Sequence, residues 1–166
     1  RLFKSHCHWE EVPRADVPRV VAVFRDPRDC VVSYYHHLQD LIPVALRRPG
    51  GDGHTVTWSE AFERWLSSRQ WYDHVNSWWK RRHDPNVLII RYEDLKTDLP
   101  SAVRRIAAHL AWAVSDSTVE RAIEHSSFEW MSAHQDKSQR PSANAPPLFR
   151  PGGLIRKGTV GEGRSR

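Results

Sequence analysis

Val20-Val21-Ala22-Val23-Phe24-Arg25-Asp26-Pro27-Arg28-Asp29 passes in ten residues from a β-branched run to a helix start. Residues 19 to 25 have the continuous apolar character of a strand buried in a parallel sheet, closed by one arginine. Asp26 then stands where an N-cap is wanted, Pro27 at the first helical position and Asp29 at the third. The spacing predicts a helix that carries Val31, Val32, Tyr35 and Leu38 and fades before Pro43. Ser33 falls about two turns into it.

Upstream, Arg1-Leu2-Phe3-Lys4-Ser5-His6 reads as another short apolar, strand-like segment ended by a base and an imidazole. Downstream, Pro43 to Thr55 is a loop broken by Pro49-Gly50-Gly51-Asp52-Gly53. Thr57-Trp58-Ser59-Glu60 has the form of a capping box. It opens a helical stretch with Phe62, Trp65 and Leu66, followed by a second run with Trp71, Tyr72, Val75, Trp78 and Trp79. Aromatic residues at that spacing are expected to pack a core or wall an apolar cleft. Lys80-Arg81-Arg82 suits a helix C-terminus.

Val87-Leu88-Ile89-Ile90-Arg91-Tyr92 reads as a second buried strand that runs into Glu93-Asp94. An amphipathic helix with Val103, Ile106, Ala107 and Leu110 follows, then a shorter one opened by Ser117 and Glu120 that bears Val119 and Ile123. Gln135 to Gly153 is polar and proline-rich, as loops are. Arg156-Lys157-Gly158 makes a compact basic turn. Helices alternating with isolated apolar strands give an α/β fold, a parallel sheet flanked by helices, in one domain over residues 1–166.

The bulk numbers narrow the function. With 39% apolar and 27% charged residues the chain has the balance of a globular domain rather than a disordered one. No apolar run approaches the length of a membrane span, and no signal peptide is read, so no membrane partner and a cytoplasmic setting are expected. A net charge of +5 favours anionic ligands. The arginines are spread along the chain rather than run together, which argues against nucleic acid as the partner. Cys7 and Cys30 are expected as reduced thiols in apolar segments. His6 and His8 flank Cys7, and His36-His37 follow later, but no spacing of the CxxC or HExxH kind supports a metal, and none is expected.

Ligands of open parallel sheets gather at the carboxyl ends of the strands. Arg25 and Tyr92 both fall at such ends. A guanidinium gives bidentate recognition of a phosphate, a hydroxyl such as that of Ser33 adds a neutral donor, and a tyrosine ring offers a surface for a base. Each residue also has an ordinary structural use. Arg25 can pair with Asp29 or Glu93, Ser33 can bond its own backbone, and Tyr92 can belong to the core.

With these residues in place the chain resembles the cytosolic-type sulfotransferases, which use 3′-phosphoadenosine 5′-phosphosulfate (PAPS). Lys4-Ser5-His6 is similar to the family's Lys-Thr-His strand end. Phe24 to Tyr35 resembles its 3′-phosphate motif, an Arg-Asp/Asn-x-Lys/Arg-Asp-x-x-Val-Ser pattern. Val87 to Leu95 resembles the strand that ends in Tyr-Glu-Asp-Leu, His125 to Met131 the Thr-Ser-Phe-x-x-Met segment, and Arg156 to Gly161 the Arg-Lys-Gly-x-x-Gly turn. All five run in family order.

The resemblance implies a sulfotransferase fold of the P-loop nucleotide-hydrolase kind. It implies an enzyme that moves a sulfuryl group from PAPS to a hydroxyl or amine of a small organic acceptor. His6 would be the general base, and Lys4, Ser5 and His6 would meet the acceptor, Lys4 also neutralising the transferring group. Arg25 and Ser33 would bind the 3′-phosphate, with Arg156, Lys157 and Gly158 closing over it. Tyr92, Ser126 and Phe128 would touch the adenine, with Met131 close by. Many relatives form homodimers, which leaves that state open here.

Three departures stand beside the resemblance. The family's glycine-rich phosphosulfate loop precedes its Lys-Thr-His segment and has no counterpart here, so a fragment incomplete at the N-terminus is expected. If the chain is complete, the alternative is a non-catalytic nucleotide-binding remnant of the same fold. Ser126 stands for the usual Thr, and Glu162-Gly163-Arg164 replaces Asp-Trp-Lys.

Overall fold

The computed structural model describes residues 2–14, 16–41, 56–138, 149–150 and 152–164. In chain order the elements are β1 (Val20–Phe24), α1 (Pro27–Asp40), α2 (Trp58–Ser68), α3 (Gln70–Trp79), β2 (Val87–Arg91), α4 (Tyr92–Thr97), α5 (Leu99–His109), α6 (Asp116–His125), α7 (Phe128–Ala133) and α8 (Gln135–Ser138). Short 3-10 turns cover Trp9–Glu11 and Glu162–Arg164. They fall into two compact units, one of residues 1–26 and 68–123, the other of residues 27–67 and 124–166.

The first unit is built on a two-stranded parallel sheet. β1 and β2 pair in register from Val20 with Val87 to Phe24 with Arg91. The Asn86 Nδ2 group donates to the Pro18 carbonyl at 2.9 Å, which aligns the two strand starts. Ala22 and Phe24 turn inward, and with Val87 and Trp78 of α3 they form the buried cluster against which Trp9, Val12, Val20, Val75 and Ile89 pack. Val23, on the opposite face, is half exposed, so the β-branched run is buried on one face rather than on both. Asp98 caps α5 by accepting from the Ser101 amide at 3.0 Å. The other end of α5 is fixed to β1, where His109 Nε2 lies 3.1 Å from the Val20 carbonyl oxygen.

Two boundaries differ from the sequence reading. Tyr92 is not the last strand residue but the first of α4, because the backbone turns helical directly after Arg91. α6 begins at Asp116, and Ser115 rather than Ser117 meets the Thr118 amide, at 3.3 Å.

The expected strand at residues 2–6 does not form. Residues 2–8 take no regular structure, and Leu2 and Phe3 are 76% and 82% exposed. The physical reason lies in α3, whose side chains take up the hydrogen-bonding groups at the end of this segment. The Trp78 indole N–H donates to the Cys7 carbonyl at 3.0 Å, and the Trp9 amide donates to the Ser77 hydroxyl at 2.6 Å. Ser77 in turn donates to Glu10 Oε2 at 3.0 Å. Trp9 meets Trp78 edge-on at 5.6 Å, which secures the junction with apolar area.

In the second unit, α1 buries Asp29, Val31 and Val32. The capping box at the start of α2 forms as expected: the Glu60 amide donates to Thr57 Oγ1 at 3.3 Å, and the Thr57 amide donates to Glu60 Oε2 at 2.8 Å. Trp58 packs edge-on against Tyr35 at 5.5 Å and stacks with Phe62 at 5.9 Å, so these aromatics pack α2 against α1. The loop expected from Pro43 to Thr55 lies outside the described residues. Of the loop expected from Gln135 to Gly153, residues 135–138 are helical and 139–148 lie outside the description. Among the described residues no helix is long and apolar enough to cross a membrane.

Candidate functional site

In the first unit the chain leaves β1 through Arg25 and Asp26 and leaves β2 into α4. The Arg25 guanidinium carbon lies 4.5 Å from the centroid of the Tyr92 ring. Two hydrogen bonds fix this corner. The Trp71 indole N–H donates to the Arg25 carbonyl at 3.2 Å, and the Asp26 amide donates to Glu93 Oε1 at 3.2 Å. The strand ends thus bring Arg25 and Tyr92 together, as their positions suggested. Tyr92 meets a guanidinium over its ring, where a face open for a base was expected.

Lys4, Ser5 and His6 are exposed and precede the anchor made by Cys7 and Trp9 on α3. The Ser5 hydroxyl accepts from the Cys7 amide at 3.2 Å. Beneath them lies His74, whose imidazole packs edge-on with Phe24 at 6.2 Å and faces the His8 ring at 6.2 Å. Burial pushes its titration below the ordinary histidine value and the charge of His8 pushes the same way, while the carbonyls of His6 and Cys7 pull it back up. The sequence reading passed over His74, although it lies on the same helical stripe as Trp71, Val75 and Trp78. That spacing is the signal that it faces inward.

The second unit holds the remaining candidates. Ser33 lies on α1 and is exposed. Ser127, not Ser126, caps α7 by accepting from the Trp130 amide at 3.1 Å, and the neighbouring Ser126 is exposed. Phe128, the first residue of α7, lies against Gly158. A Cβ on Gly158 would come within 2.4 Å of the ring, and the glycine has φ +62, so only glycine fits this contact. Met131 is 37% exposed on the same short helix.

Arg156 and Lys157 converge on one carboxylate. Arg156 grips both oxygens of Glu162 in the two-pronged manner of a guanidinium, with Nη1 to Oε1 at 3.0 Å, and Lys157 Nζ reaches Oε1 at 3.2 Å. The Arg156 hydrogen bonds are the main cause of a Glu162 carboxyl lowered to about 2. This turn can therefore hold an oxyanion, which is the chemistry that a phosphate would ask of it.

Asp29 stands at the third helical position of α1, as expected. What the sequence did not show is its distant partners: its carboxylate accepts from two amides, Gly161 at 2.7 Å and Gly163 at 2.8 Å. Among the described residues no group of three His, Cys, Asp or Glu side chains is placed to hold a metal ion.

The family model for the sulfotransferase domain matches residues 1–165, across both units. Among curated relatives, sulfotransferase 6B1 of Danio rerio is 34% identical over 165 residues, covering 98% of this chain and 52% of the relative. The chain thus spans about half the length of the curated relatives it matches. Among solved structures, mouse sulfotransferase SULT7A1 complexed with PAP superposes with a TM-score of 0.71 at 26% identity, over 97% of this chain and 57% of that one. Retinol dehydratase in complex with androsterone and the inactive cofactor PAP gives a TM-score of 0.60 at 30% identity, over 87% of this chain and 41% of that one. A family match along nearly the whole sequence and a shared fold make the conclusion direct: the chain belongs to the sulfotransferase domain family.

Proposed function

We propose that this protein transfers a sulfuryl group from PAPS to a hydroxyl or amine of a small organic acceptor, within one sulfotransferase domain that works in the cytoplasm. The observation that carries this reading is the family match over residues 1–165, inside which all five motifs stand in order. The bound PAP in two structural neighbours supports the nucleotide, and the androsterone bound to one of them supports a small organic acceptor.

The residues fit such a donor. Arg156 and Lys157 already clasp a carboxylate, and a 3′-phosphate presents the same kind of oxygens with more charge. Arg25 and Ser33 are assigned to that phosphate, with Gly158 closing the turn. Tyr92, Ser126, Phe128 and Met131 are assigned to the adenine. PAPS, when bound, supplies the sulfuryl group and leaves as PAP.

His6 takes the proton of the acceptor as its oxygen or nitrogen bonds to sulfur, a task suited to an imidazole. Lys4 offsets the negative charge that builds on the transferring group. Ser5 helps to seat the acceptor. Sulfuryl transfer, like phosphoryl transfer, asks for alignment and charge stabilisation more than for a covalent intermediate.

The test is transfer of labelled sulfate from PAPS to a panel of phenols, alcohols and amines. Labelled product from at least one class, inhibited by PAP, is expected. Tight PAP binding with no transfer to any acceptor would instead support the non-catalytic reading.

A further inference from the structure

Among the described residues that carry a formal charge, Asp29 alone is buried, at 2% exposure. A carboxylate taken out of water is costly unless donors surround it. Here the Gly161 amide donates to one oxygen at 2.7 Å and the Gly163 amide to the other at 2.8 Å, from 132 and 134 residues further along the chain. Bonds from N–H groups to an ionised acceptor are the strong kind.

The turn is shaped to reach that carboxylate. Gly161 has φ +88, in the left-handed region that a side chain would resist, and a Cβ on Gly163 would come within 2.3 Å of the Arg28 carbonyl carbon. Backbone therefore lies on backbone where the turn meets the start of α1. The residue between the two tethered amides is Glu162, the one that holds Arg156 and Lys157. A chain of contacts runs from the Asp29 carboxylate through two amides to Glu162 and on to the two cations.

We propose that Asp29 is a positioning residue for Arg156 and Lys157: it fixes the turn from which Glu162 sets both cations, without touching the ligand itself. The effect on nucleotide binding rests on the function proposed above. The clamp itself does not.

The experiment pairs Asp29→Asn with the unaltered protein. The amide would turn an N–H towards one of the two backbone donors and break that bond. Hydrogen exchange at Gly161 and Gly163 should then speed up by about tenfold or more relative to amides of the first unit. Affinity for PAP should fall by about tenfold, while affinity for adenosine 5′-monophosphate changes much less. Unchanged exchange at the two glycines, or loss spread evenly over all amides, overturns the proposal. So does unchanged discrimination between the two nucleotides, provided the unaltered protein prefers PAP. If it has no such preference, the proposed function fails and the exchange result alone judges the clamp. Should Asp29→Asn not fold, the unaltered protein decides. Gly161 and Gly163 must then be the most slowly exchanging amides of residues 152–164, and fast exchange there refutes the clamp.

Discussion

Arg25 lies with its guanidinium over the ring of Tyr92, 4.5 Å from the centroid, at the point where two neighbouring parallel strands end. A guanidinium stacked in this way loses freedom of rotation. The aromatic face thus pre-orients the cation. Replacing Arg25 with Ala should weaken PAP by roughly 1.5–3 kcal/mol and adenosine 5′-monophosphate by far less. Titration calorimetry with both nucleotides measures this. Equal weakening of the two would remove Arg25 from the 3′-phosphate.

Tyr92→Leu extends the same relationship. The stacking surface is lost while the guanidinium remains, so PAP affinity should fall by about 0.5–1 kcal/mol. In the Arg25→Ala background the same change should have a smaller effect, because the stacked partner is already gone. Full additivity in that double-mutant cycle would deny the coupling.

His74 gives a pH dependence of known sign. Its titration is lowered from 6.5, chiefly by burial, so the folded protein resists charging it. Its contribution to stability is complete above 6.5 and is lost as pH falls through the lowered value. NMR titration of the His74 ring should place its midpoint below 6.5, and a midpoint at or above that value would contradict the burial described here.

Glu162 acts on the acid side. Its carboxyl is lowered from 4.5 to about 2, first through hydrogen bonds from Arg156. The pairing it provides is therefore complete above 4.5 and is lost as pH falls through about 2. A carboxyl titration read by NMR should find that low midpoint, and Arg156→Gln should raise it towards 4.5. A Glu162 that titrates normally in the unaltered protein would mean that the clasp does not persist in solution.

The local features of this chain could be read from sequence. β1, β2 and the Thr57–Glu60 box each declare themselves within a few neighbouring residues, through β-branching or the reach of a side chain over one turn. Arg25 and Tyr92 could be placed at strand ends for the same reason. What escaped were choices between a local and a distant partner. Asp29 stands at the third helical position as read, yet its carboxylate also accepts from amides more than a hundred residues later, which no local pattern shows. Leu2 to His6 has strand-like composition, yet Ser77 and Trp78 compete for the backbone that follows it. Glu162 was noted as a departure from a motif, and its role emerged only when Arg156 and Lys157 were found on it.

The proposed reaction turns on His6, which removes the acceptor's proton during sulfuryl transfer. The direct measurement is turnover with PAPS by the unaltered protein and by His6→Ala, with PAP affinity measured on the same samples. Loss of the base should cut turnover by roughly 10²–10⁴-fold while PAP affinity stays within about twofold. Turnover that survives the substitution, or a loss of nucleotide affinity as large as the loss of rate, would contradict it.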